Sequence, residues 1–154
     1  MTASIAAQRH PSRVRARVAR AGCLLIALAA CAALAGCCHH DAALVQKLTA
    51  AKATLVGDGA TPGLYDRFTE PAIPAAEVQA ARDQVKDVVD TAVKNQGAFC
   101  QEPAKQAKQI RSMFESHVKA REQGGAWSET IRDNRKENIG EAFDIAIETQ
   151  NKLK

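Results

Sequence analysis

Residues 75–96 read AAEVQAARDQVKDVVDTAVKNQ, and their spacing decides the fold. Val78, Ala81, Val85, Val88 and Ala92 recur at steps of three and four, with Val89 and Val93 widening the stripe. Such steps return to one side of a 3.6-residue helix, whereas one side of a strand needs steps of two. Pro74 suits a first-turn position and Gly97 a stop. The same rhythm continues on both sides. Residues 103–122 open on Pro103, carry Ala107, Ile110, Phe114 and Val118 on one stripe, and end at Gly124-Gly125. Residues 128–152 start from a capping Ser128, and Ile131, Ile139, Ala142, Phe143, Ala146 and Leu153 are placed inward. Upstream, residues 41–56 align Leu44, Leu48, Ala51 and Leu55, with Asp41 as a cap and Gly57 as a stop. Gly140, inside the last helix, costs about 1 kcal/mol relative to Ala. No run of alternating Val, Ile or Tyr appears, so the expected class is all-α: a small antiparallel bundle of about four helices.

Three of the helices are joined by short connections. The first is joined by GDGATPGLYDRFTEPAIP, residues 57–74, and is expected to dock loosely. A connection of that length is usually functional or folded back on the core. Two readings of its aromatic residues follow. Tyr65 and Phe68 form a partner-binding pair, which alanine would weaken without unfolding the domain. Alternatively, the loop folds back with a short helical turn at 63–69 and plugs the bundle with both rings, which water favours because paired exposed aromatics are costly.

Charge divides the chain in two. Arg9, Arg13, Arg15, Arg17 and Arg20 precede residue 37, and all 17 acidic residues follow it. The segment 37–154 carries 16 basic and 17 acidic side chains, a net of −1. The formal +4 of the whole chain therefore belongs to its beginning. A phosphate-binding face needs excess Lys and Arg on the folded part, so no nucleic-acid partner is expected.

The Arg-rich beginning leads into AGCLLIALAACAALAG, residues 21–36, which carry no charge. Sixteen residues, many of them Ala, fall short of the ~20 apolar residues of a bilayer span and suit a signal-peptide apolar region. Leu34-Ala35-Gly36-Cys37 then follows, and it resembles the lipobox of bacterial lipoproteins at all four positions. That resemblance implies signal-peptidase recognition of Leu34, Ala35 and Gly36, a diacylglycerol thioether on Cys37, and cleavage before that residue. The implied division is a cleaved signal peptide at 1–36, a lipidated tether at 37–41 and a helical domain at 42–154. Two or three acyl chains anchor stably where one does not. By the same resemblance, Cys38 rather than Asp after the lipidated residue favours the outer membrane, facing the periplasm.

Cys23 and Cys31 leave with the signal peptide, and a lipidated Cys37 has no thiol. Cys38 and Cys100 remain in an oxidising compartment. Either they pair and tie the tether to the domain, or Cys38 stays loose beside the bilayer while Cys100 packs at a helix end. Cys37-Cys38-His39-His40-Asp41 also has the thiolate and imidazole groups that suit zinc or copper. Adjacent side chains diverge, however, so no metal or other cofactor is expected; His39 and His40 are the metal candidates that remain. Met113 and His117 lie four apart on one helix side, but no C-x-x-C-H motif accompanies them, and they read as a core Met beside a boundary His. No G-x-S-x-G, H-E-x-x-H or phosphate-loop pattern occurs, and the acids alternate with Lys and Arg as on a solvated face.

These readings describe a non-enzymatic, membrane-anchored lipoprotein that binds an envelope protein, with an inhibitor or immunity protein as a sub-case. The alternatives are a metal or small-ligand binder using Cys38, His39 and His40, and a link between membrane and peptidoglycan. The last rests on Lys154, since the murein-linked lipoproteins attach through a C-terminal Lys. Those proteins form one continuous heptad coil, unlike this Pro- and Gly-broken chain.

Overall fold

The computed structural model describes residues 39–95 and 100–153. Leu34, Ala35, Gly36, Cys37, Cys38, Gly97 and Lys154, and with them the signal peptide, lipobox and peptidoglycan readings, lie outside the described residues. Four α-helices follow in order: α1 (Ala42–Val56), α2 (Ala75–Lys94), α3 (Glu102–Gly124) and α4 (Glu129–Lys152), with a 3-10 turn at Leu64–Thr69 between α1 and α2. Among the described residues, the only β pairing is an isolated bridge between Gly57 and Pro62. The protein is an all-α helical bundle.

The helix ends follow from local chemistry. Asp41 Oδ1 accepts from the Leu44 N–H at 3.0 Å and caps α1, while Gly57, at φ 91°, closes it with an N–H bond to Ala53 O. Ser128 Oγ accepts from the Ile131 N–H and caps α4. Gly125, at φ 75°, ends α3. Pro74 stands one position earlier than expected, as the N-cap of α2 rather than inside its first turn.

Each helix packs on two others: α1 on α2 and α4, and α3 on α2 and α4. Lys47 on α1 donates to Asp87 and Thr91 on α2, at 2.8 and 2.9 Å. Lys52 on α1 pairs with Asp144 on α4 at 2.6 Å, and Arg82 on α2 pairs with Glu115 on α3 at 3.2 Å. Low numbers on one helix meet high numbers on the next, so the bundle runs up-down-up-down. Leu44, Leu48, Ala51 and Leu55 are all buried, so α1 is a full wall of the bundle. This corrects the expectation of loose docking: four apolar residues on one face are enough to seat a 15-residue helix whatever the length of its connection.

The core takes Val85, Val88, Ile110, Phe114, Val118, Ile139 and Phe143 at under 3% exposure. Val93 and Ile131, expected inward, are 43% and 44% exposed. Both sit in the terminal turns of their helices. Among the described residues, no helix is long and apolar enough to cross a membrane.

Candidate functional site

The bundle has two dissimilar ends. One gathers the start of α1, the end of α2, the start of α3 and the end of α4. The other gathers the 57–74 connection, residues 125–128 and the remaining helix ends.

At the first end, the residues before α1 are tied down. The carbonyl of Gln150 can only accept, so His40 Nδ1 donates to it, at 3.1 Å. Gln150, 2% exposed, also accepts through Oε1 from the Asp41 N–H at 3.3 Å. Asn95 Nδ2 donates to Asp41 Oδ2. Partial burial would raise the Asp41 pKa, but the bonds from Asn95, Leu44 and Ala43 outweigh it and hold the carboxyl below its usual value. His39 lines a small cleft with Asp41, Asn95, Cys100, Pro103 and Gln150. His39 and His40 are both exposed, and among the described residues no group of three or more His, Cys, Asp or Glu is placed to hold a metal. His117 lies on α3, near the opposite end.

The second end is organised by the 3-10 turn. Tyr65 and Phe68 are 0% and 1% exposed and stack at 4.9 Å between ring centroids. The loop is thus the plug, not a presented aromatic pair. Alanine at either position removes a core ring, which costs about 3–5 kcal/mol, so it would damage the fold before it reported on a partner. Trp127 completes the cluster, edge-on to Phe68 at 4.8 Å, with the Arg135 guanidinium 4.6 Å from its ring centroid.

The Tyr65 hydroxyl lies 2.7 Å from His117 Nδ1. Burial drives the Tyr65 pKa far above the phenol range, so the hydroxyl is neutral and donates. Burial, assisted by the Arg135 charge, lowers His117 to about 4, so its ring is neutral at pH 7 and accepts. The pair is a hydrogen bond in an apolar site, and among the described residues no third group is bonded to the His117 ring to turn it into an acid–base device.

Arg121 ties the plug to α3. It is 9% exposed; its Nε donates to Phe68 O at 2.9 Å, and its Nη2 donates to Glu70 O and to Pro71 O. The Trp127 N–H also donates to Phe68 O, at 2.9 Å. Lys136 on α4 reaches both Asp66 oxygens, at 2.6 and 2.8 Å. Beside the plug, a groove of about 260 Å³ runs between the start of α2 and the end of α3. Phe68, Ile73, Val78 and Val118 form its floor, and Arg82 and Glu122 its rim.

Sequence reasoning missed Arg121, Gln150 and Trp127. Arg121 falls four residues before Gly125, where a cation complements a helix C-terminus, and that is the one signal it offered. No family model, curated protein or solved structure matches this chain.

Proposed function

We propose that this chain is a lipid-anchored bacterial envelope protein that faces the periplasm and binds another envelope protein without catalysing a reaction. Attachment is through acyl chains on Cys37, with Leu34, Ala35 and Gly36 as the peptidase recognition sequence. The outer membrane is the favoured site. The observation that carries the reading is the polarity of the bundle. Residue 39, next to the anchor, stands at one end, and the groove lined by Ile73, Val78 and Val118 stands at the other. The 20 residues of α2 separate them by about 30 Å. An anchored bundle of this shape carries its groove away from the head groups, where a partner can reach it. An apolar floor with Arg82 and Glu122 on its rim suits an apolar side chain flanked by charges of both signs. A tethered inhibitor is one form of such a protein.

A photo-crosslinking residue at Ile73 or Val78 in the natively anchored protein tests this. One stoichiometric envelope adduct from these positions, absent when the crosslinker stands at exposed Gln46 on α1, is the expected result. Recovery of the lipidated protein with no adduct from either groove position would overturn the partner reading. A chain recovered without lipid would overturn the anchor.

A further inference from the structure

Cys100 is 8% exposed, precedes Gln101, the N-cap of α3, and is disulfide-bonded. The chain's other cysteines are Cys23, Cys31, Cys37 and Cys38. His39 and Cys100 line the same cleft. Residue 38 is one peptide unit before His39, a step of about 3.8 Å between Cα atoms. A disulfide requires Cα atoms about 4.4–6.8 Å apart, a span on the scale of one chain step from His39, which shares its cleft with Cys100. The approach is held by bonds that do not involve sulfur: His40 to Gln150, the Asp41 N–H to Gln150, and Asn95 to the Asp41 carboxylate.

We infer that the partner of Cys100 is Cys38, and that this bond clamps the lipidated residue to the bundle. The choice of Cys38 over its neighbour rests on the lipoprotein reading, because a Cys37 thioether has no thiol to contribute. Formation removes two electrons and two protons from the two thiols. The disulfide of an envelope thiol oxidase takes them up through a mixed-disulfide intermediate and leaves as a dithiol. Once formed, the bond places the acyl chains one residue from a covalent link to the start of α3. Residues 39–41, already bonded to the bundle, then add no length to the tether, and the His39 end is the one held at the head groups.

The test uses the native, membrane-extracted protein. Thiols are alkylated without reductant, the chain is digested with trypsin, and the peptides are identified by mass spectrometry. The expected product is peptide 37–47, bearing the acylglyceryl group, joined through Cys38 to peptide 95–105. A lipidated 37–47 with alkylated Cys38, beside a 95–105 not joined to it, would overturn the clamp and leave the anchor standing. A lipid-free Cys37 joined to Cys100 would overturn both. In a Cys38→Ser variant, Cys100 is expected to become alkylated, from almost no labelling to near-complete labelling after mild denaturation. Continued protection there would also overturn the assignment.

Discussion

His117 is the residue whose protonation the fold opposes most clearly. Its pKa is held near 4 by burial and by Arg135, against 6.5 in an open chain. Between those two values the unfolded chain binds a proton that the folded chain refuses. The stability that rests on a neutral His117 is therefore complete above about pH 6.5 and is lost as the pH falls towards 4. Protonation also reverses the Tyr65 bond, since a protonated Nδ1 can only donate and the hydroxyl must turn to accept. His117→Gln keeps an acceptor for Tyr65 and removes the titration. Urea midpoints at pH 7.5 and pH 4.5 should show a smaller acid loss in the variant than in the parent; equal losses would refute the assignment. None of this was legible in the sequence beyond the pairing of Met113 and His117 on one helix side. The Tyr65 contact spans 52 positions, and no periodicity reports a bond of that kind.

At the scale of elements, the 57–74 connection and α4 use glycine in opposite ways. A Cβ on Gly63 would lie 2.4 Å from Gly57 N and 2.5 Å from Leu55 O, so backbone meets backbone where the loop turns back over the end of α1. A Cβ on Gly140 would meet only Val56 methyls, at 3.7 and 3.9 Å, an ordinary contact. Gly63→Ala should destabilise by about 1–3 kcal/mol, as forced overpacking does. Gly140→Ala should stabilise by up to about 1 kcal/mol, because helix propensity improves and the space exists. Thermal unfolding of the two variants against the parent checks both signs. The helices themselves were readable to within two residues because Asp41, Gly57, Pro74, Pro103, Gly125 and Ser128 punctuate the stripes. The plug at 64–69 was readable as one of two loop conformations, because water disfavours bare aromatic pairs. What decides between them is Arg121, whose three backbone acceptors all lie about fifty positions away.

For the whole molecule, the clamp at Cys100 closes a loop of about sixty residues that contains α1, the plug and α2. A cross-link over that length is worth about 2–4 kcal/mol, mainly by restricting the unfolded chain. Reduction of the detergent-extracted protein should lower its urea midpoint accordingly, and Cys100→Ser should match the reduced parent and respond no further to reductant. A parent whose midpoint ignores reductant would contradict the closed loop. Whole-molecule organisation was the least legible level. The antiparallel order of α2, α3 and α4 follows from their short connections, but the separation of the His39 end from a grooved end depends on where Ile73, Val78 and Val118 meet, and each alone reads as one more core position.

Opposite placement of the two ends also fixes how the bundle bears load. A pull on His39, resisted at the groove between α2 and α3, runs along the helix axes. Helix α1 is then dragged lengthwise past α2 and α4, and Leu44, Leu48, Ala51 and Leu55 must leave their seats together instead of peeling away one turn at a time. Forced rupture is governed by the unfolding rate, and a shear of many contacts at once makes that rate small. The same helices that separate the two ends thus make the bundle stiff against a pull along its length.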